Sequence, residues 1–115
     1  MIEDIVFPLL TGSILSLAGC VQYFFPPKKI NGLYGYRTAR SMQNEELWKK
    51  AQFYSAKQLI VLGLILLVLA PITYRLEMDE NVQVGIFLPL LILGVVILII
   101  RTEIYLKKSL NDEKK

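Results

Sequence analysis

Three long runs without a charged residue constrain this chain more than anything else in it. Ile5 to Phe25 is 21 residues, Gln58 to Tyr74 is 17 and Asn81 to Ile100 is 20. A helix crossing the hydrocarbon core of a bilayer needs roughly 20 mostly apolar residues, within a range of about 17–25. All three runs qualify, the second at the lower limit. A soluble bundle would need polar stripes at helical spacing. Leu59 to Ala70, LIVLGLILLVLA, has none. The sequence therefore predicts an all-α integral membrane protein with three transmembrane helices, at about 5–25, 58–76 and 83–101. At 115 residues it is one domain, 1–115.

The placement of charge sets the expected topology. Seven of the thirteen Lys and Arg residues lie between the first and second runs: Lys28, Lys29, Arg37, Arg40, Lys49, Lys50 and Lys57. Five follow the third run: Arg101, Lys107, Lys108, Lys114 and Lys115. Only Arg75 lies elsewhere. An excess of cations marks the cytoplasmic side, which predicts the N-terminus outside, the long loop inside and the C-terminus cytoplasmic. Glu3, Asp4, Glu77, Asp79 and Glu80 then face outward. The basic balance suits an anionic inner leaflet, and no nucleic acid is needed to explain it.

Several chemistries are disfavoured. The single cysteine forbids an internal disulfide, and the absence of histidine removes the common catalytic triads and ordinary zinc sites. Proton relays place Asp, Glu, His or Lys in mid-membrane, and the three runs contain none of these. Glu77, Asp79 and Glu80 are expected to be a solvated loop and not a metal site. Glu45 and Glu46 suit a helix start better than a catalytic pair. No enzymatic activity, cofactor or metal is expected.

Within the first run, Leu17-Ala18-Gly19-Cys20 has the form of a lipoprotein cleavage box. The acidic start and the apolar continuation argue against processing, so Cys20 is expected to stay unmodified. Gly12, Ser16 and Gly19 share a helix face of the kind that lets helices approach closely. That face invites a partner, and a homo-oligomer would supply one. Tyr23, Phe24 and Phe25 form an aromatic belt, and Pro26-Pro27 ends the helix.

The stretch Asn31 to Trp48, NGLYGYRTARSMQNEELW, is unlike either neighbouring run. Asn31-Gly32 favours a tight turn with positive φ, and Gly35 adds a second flexible point. Leu33, Tyr34 and Tyr36 are placed to lie in the interface. Asn44 is a helix N-cap candidate with Glu45 and Glu46 in the first turn. Leu47, Trp48, Ala51, Tyr54 and Ser55 then share a face. This predicts an amphipathic juxtamembrane helix in the first cytoplasmic loop, lying on the membrane with Trp48 as its anchor. It either bends into the second span or runs into it without a break. Arg37 can set topology, hold a phosphate headgroup, or fork onto a carboxylate, for which Glu103 is the candidate.

Asn31, Gly35-Tyr36-Arg37-Thr38, Asn44-Glu45-Glu46 and Trp48, in this order just before a span, resemble the SdpI family of bacterial membrane immunity proteins. The likeness is strongest from Lys28 to about Lys57. Longer members carry additional spans upstream. The resemblance implies a multi-pass protein of the bacterial cell membrane that protects against a secreted membrane-active peptide toxin. Carried over by position, the residues for toxin or partner binding are Asn31, Gly35, Tyr36, Arg37, Thr38, Asn44, Glu45 and Trp48. The expected partners are the lipid bilayer and the peptide toxin. Two other functions fit the residues: a regulatory membrane protein whose basic cytoplasmic face binds a soluble partner, and a small transporter subunit.

Overall fold

A computed structural model describes residues 6–113. Glu3, Asp4, Lys114 and Lys115 lie outside them. Three helices follow in order: α1 (Val6–Phe24), α2 (Glu45–Arg75) and α3 (Glu80–Glu113). All three are long and apolar enough to cross a membrane, and no strand occurs among the described residues. Large apolar side chains such as Leu10, Leu17, Val68 and Ile92 are exposed along them, as a lipid-facing surface requires.

α1 runs unbroken through Cys20 and stops at Phe24, just before Pro26-Pro27. Pro27 could not donate to a continuing helix. α2 begins where the capping residues place it. Asn44 is extended, and its side-chain oxygen accepts the Leu47 N–H at 2.8 Å. Nothing between Asn44 and the apolar run breaks the helix. The juxtamembrane segment is therefore the first turns of one 31-residue helix, not a separate surface helix. At about 1.5 Å per residue, α2 extends ~46 Å and α3 ~51 Å. Both exceed the ~30 Å hydrocarbon core. Their surplus projects at one end, where Leu47 and Ala51 of α2 meet Leu106 of α3.

α2 and α3 join through a tight turn. Glu77 takes a left-handed conformation, with φ 51°. Its N–H donates to the Tyr74 carbonyl at 3.2 Å, and the Met78 N–H donates to the Thr73 carbonyl at 3.3 Å. This pair of bonds satisfies carbonyls that the helix end leaves open.

The small-residue face of α1 does allow a close approach, and its partner is α2. A β-carbon on Gly12 would sit 2.8 Å from the Gly63 carbonyl oxygen, and one on Gly19 would sit 2.7 Å from Ile60 Cγ1. α2 occupies this face, so the face gives no reason for a second copy of the chain. α3 is tied on more loosely. Gln58 Nε2 donates to Thr102 Oγ1 at 3.1 Å, Leu62 lies against Gly94, and the Phe7 and Phe87 rings meet at 6.5 Å.

Candidate functional site

The loop from Phe25 to Asn44 folds back over the projecting ends of α2 and α3. Its first turn is built by a side chain. Asn31 Oδ1 accepts the N–H groups of Leu33 (2.9 Å) and Tyr34 (2.7 Å), and Asn31 Nδ2 donates to the Lys29 carbonyl at 3.0 Å. The expected positive φ is found at neither Asn31 nor Gly32. It occurs at Gly35, with φ 100°. Glycine is required there twice over: L-residues rarely adopt that conformation, and a β-carbon would meet Gln52 Oε1 and Pro27 Cγ.

Past Gly35 the chain meets Gln52, which is fully buried on α2. Gln52 Oε1 accepts the Tyr36 N–H at 2.8 Å, and Gln52 Nε2 donates to the Tyr36 carbonyl at 2.9 Å. One carboxamide thus satisfies both backbone groups of one loop residue. α1 joins the same knot. Gln22 Nε2 donates to the Gln52 carbonyl at 3.0 Å and to Ser55 Oγ at 2.8 Å. Away from water, each of these groups would be costly without a partner.

Tyr36 reaches onward to α3. Its hydroxyl donates to Glu103 Oε1 at 2.9 Å and lies 3.3 Å from the Ile99 carbonyl. Burial first, then the hydrogen bond to Glu103 and its negative charge, push the Tyr36 hydroxyl far above the usual phenol range. It therefore remains a protonated donor at physiological pH. A compact turn follows. Ser41, fully buried, donates from Oγ to the Thr38 carbonyl at 3.0 Å and accepts the Thr38 N–H at 2.8 Å. Thr38 Oγ1 accepts the Ser41 N–H at 3.2 Å.

This turn decides which arginine reaches α3. Arg40 Nη1 pairs with Glu103 Oε2 at 2.9 Å. Arg37, for which that carboxylate is one of the three roles open in the sequence, is exposed and donates instead to the Gly32 carbonyl. It fastens the loop to itself. Arg40 and Glu103 side chains are 35% and 23% exposed, so water weakens the pair. Replacing both by alanine is expected to reveal a coupling of about 0.5–1 kcal/mol in a double-mutant cycle read by thermal unfolding. Arg37→Ala and Glu103→Ala should simply add. Coupling to Arg37 and none to Arg40 would contradict this pairing.

Trp48 is a further correction. It is fully buried, and its Nε1–H donates to the Pro27 carbonyl at 2.8 Å. It packs beneath the returning loop and does not anchor a helix in the interface. Leu47, Ala51 and Ser55 share this buried side, but Tyr54 does not. Tyr54 stacks on Tyr105 of α3, with ring centroids 4.4 Å apart.

The eight sequence-predicted residues thus divide by task. Asn31, Gly35, Tyr36, Thr38 and Trp48 build the folded loop, Asn44 and Glu45 start α2, and Arg37 lies on the outer surface beside the highly exposed Leu33. Sequence reasoning missed Gln22, Ser41 and Gln52, and for Glu103 it considered Arg37 and not Arg40. The available signal was a glutamine inside the first apolar run, because an uncharged polar residue there needs an interhelical partner.

The SdpI/YfhL protein family model matches residues 28–102, which covers the folded loop from Lys28, α2 and most of α3. The chain is similar to a Bacillus subtilis (strain 168) protein named "Uncharacterized protein YfhL", with 47% identity over 58 residues. That alignment covers 50% of this chain and 53% of the relative, so it spans about half of that curated protein's length. No solved structure matches significantly. With the family model matching well over half of the sequence, including the loop from Lys28 onward, the chain belongs to the SdpI/YfhL protein family.

Proposed function

We propose that this chain is a membrane immunity protein that protects its host cell against a secreted membrane-active peptide toxin. The observation that carries this reading is family membership over the loop and the two helices it docks on. The family is linked to immunity. The reading needs neither catalysis nor a cofactor: recognition works through packing within the bilayer and polar contacts at its surface. The exposed parts of the loop, Leu33, Tyr34 and Arg37, are the surface offered to the toxin or to a partner. The experiment is survival of a toxin-sensitive bacterium expressing this chain. Protection supports the reading, and unchanged killing at confirmed membrane levels sinks it.

The loop faces the cytoplasm in this proposal. Support comes from charge, since ten of the eleven described Lys and Arg residues lie on the loop, the adjoining start of α2 or the end of α3. Arg75, by the far turn, is the exception. With cysteine introduced singly in a Cys20→Ser background, position 43 is expected to react only from the cytoplasmic side and position 79 only from outside. The opposite pattern would invert the topology.

A further inference from the structure

A cleft of about 340 Å³ opens between α2 and α3 on the side away from α1's close contact. Its walls are Val61, Leu62, Ile65, Gly94, Ile97 and Leu98. Its head is formed by Lys57 and Arg101, with Gln58 at the boundary. Among the described residues neither cation has a carboxylate partner, since Glu103, two residues beyond Arg101, is held by Arg40 and Tyr36. Gln58 is turned inward, bonded through Nε2 to Thr102.

The depth of this cleft follows from the sequence. Lys57 is the last charge before the second apolar run, and Arg101 is the first after the third. The antiparallel pairing of the helices brings both to one level, where hydrocarbon gives way to headgroups. Below that level Val61, Ile65 and Ile97 are each about half exposed, so the cleft opens toward acyl chains. Lys57 also borders a second cleft lined by Glu46, Lys49, Lys50 and the stacked Tyr54 and Tyr105; Glu46 pairs with Lys50 at 3.3 Å, and Lys49 and Lys57 leave that cleft net positive.

We propose that this cleft binds one glycerophospholipid with an anionic headgroup. Lys57 and Arg101 hold its phosphate, and one acyl chain lies along Val61, Leu62, Ile65 and Ile97. Two unpaired cations at the head of an apolar furrow complement a phosphodiester carrying one acyl tail below it. A net-neutral headgroup gains less, because its own ammonium is repelled by the same two cations. The proposal is independent of the immunity reading.

The test is native mass spectrometry of protein released from bilayers of equal phosphatidylglycerol and phosphatidylethanolamine. Wild type is expected to retain one phosphatidylglycerol in preference to phosphatidylethanolamine. Lys57→Gln with Arg101→Gln should lower that preference about tenfold. Lys107→Gln with Lys108→Gln removes the same charge elsewhere and should leave it unchanged. Ile65→Trp fills the furrow with the cations intact, and should lower retention of both lipids. Equal retention of the two lipids by wild type would overturn the proposal. So would an unchanged preference in the Lys57/Arg101 variant, an equal loss in the Lys107/Lys108 control, or full retention by Ile65→Trp.

Discussion

Gln52→Leu is expected to release the loop while leaving the three helices in the membrane. Leucine keeps most of the volume and removes every polar atom of the carboxamide. The Tyr36 N–H loses its partner and the Tyr36 carbonyl keeps only Ser41 Oγ at 3.3 Å, while Gln22 keeps its bonds to the residue-52 backbone carbonyl and to Ser55. Each buried donor or acceptor left unpaired costs about 1–3 kcal/mol. A loss near 2 kcal/mol would raise the undocked population of the loop roughly thirtyfold. Trypsin reports this directly, because the loop carries Lys28, Lys29, Arg37 and Arg40. In nanodiscs, where both faces are accessible, cleavage between residues 28 and 40 should accelerate strongly in the variant. A cleavage rate equal to wild type would mean that Gln52 does not hold the loop.

Gly63→Ala is expected to be the most damaging added methyl group among the helical glycines. A β-carbon at this position would lie 2.5 Å from the backbone nitrogen of Ser16 and 2.8 Å from the Gly12 carbonyl oxygen. Neither is a flexible side-chain tip, so α1 and α2 must move apart. In a bilayer, helix association rests on close packing and not on exclusion of water, so lost proximity is not compensated elsewhere. Overpacking of this kind costs about 1–3 kcal/mol. Gly85→Ala supplies the contrast, since nothing lies within 4 Å of its added carbon. Alanine there should be neutral or stabilise α3 by about 0.5–1 kcal/mol. Thermal unfolding in nanodiscs should lower the midpoint for Gly63→Ala and not for Gly85→Ala. Equal midpoints would show that the α1–α2 contact is looser than described.

The features legible in the sequence are those fixed by local rules. The second and third apolar runs lie within α2 and α3, α1 takes Val6–Phe24 of the first, Pro26-Pro27 follows the end of α1, and Asn44 caps α2, because each depends on residues within a turn or two. The errors all concern the path of the loop. Arg37 and Arg40 are indistinguishable until Gly35 and the Thr38–Ser41 turn aim one of them at Glu103. Trp48 beside a span looks like an interface anchor until the chain returns over it to place the Pro27 carbonyl on its indole. The small face on α1 announces a close partner without saying which helix supplies it. Gln52 is separated from Tyr36 by sixteen residues, and nothing local marks that they meet.

The most direct test of the account is survival under toxin challenge of a sensitive bacterium carrying wild type, Gln52→Leu or no insert, at matched membrane protein levels. The challenge is medium from bacteria that secrete membrane-active peptide toxins. Wild type should survive, and Gln52→Leu should fall most of the way to the empty control, because its loop surface is no longer presented. Killing of wild type at the rate of the empty control would contradict immunity. Full protection by Gln52→Leu, with its loop shown to be cleaved, would contradict the folded loop as the part that confers it.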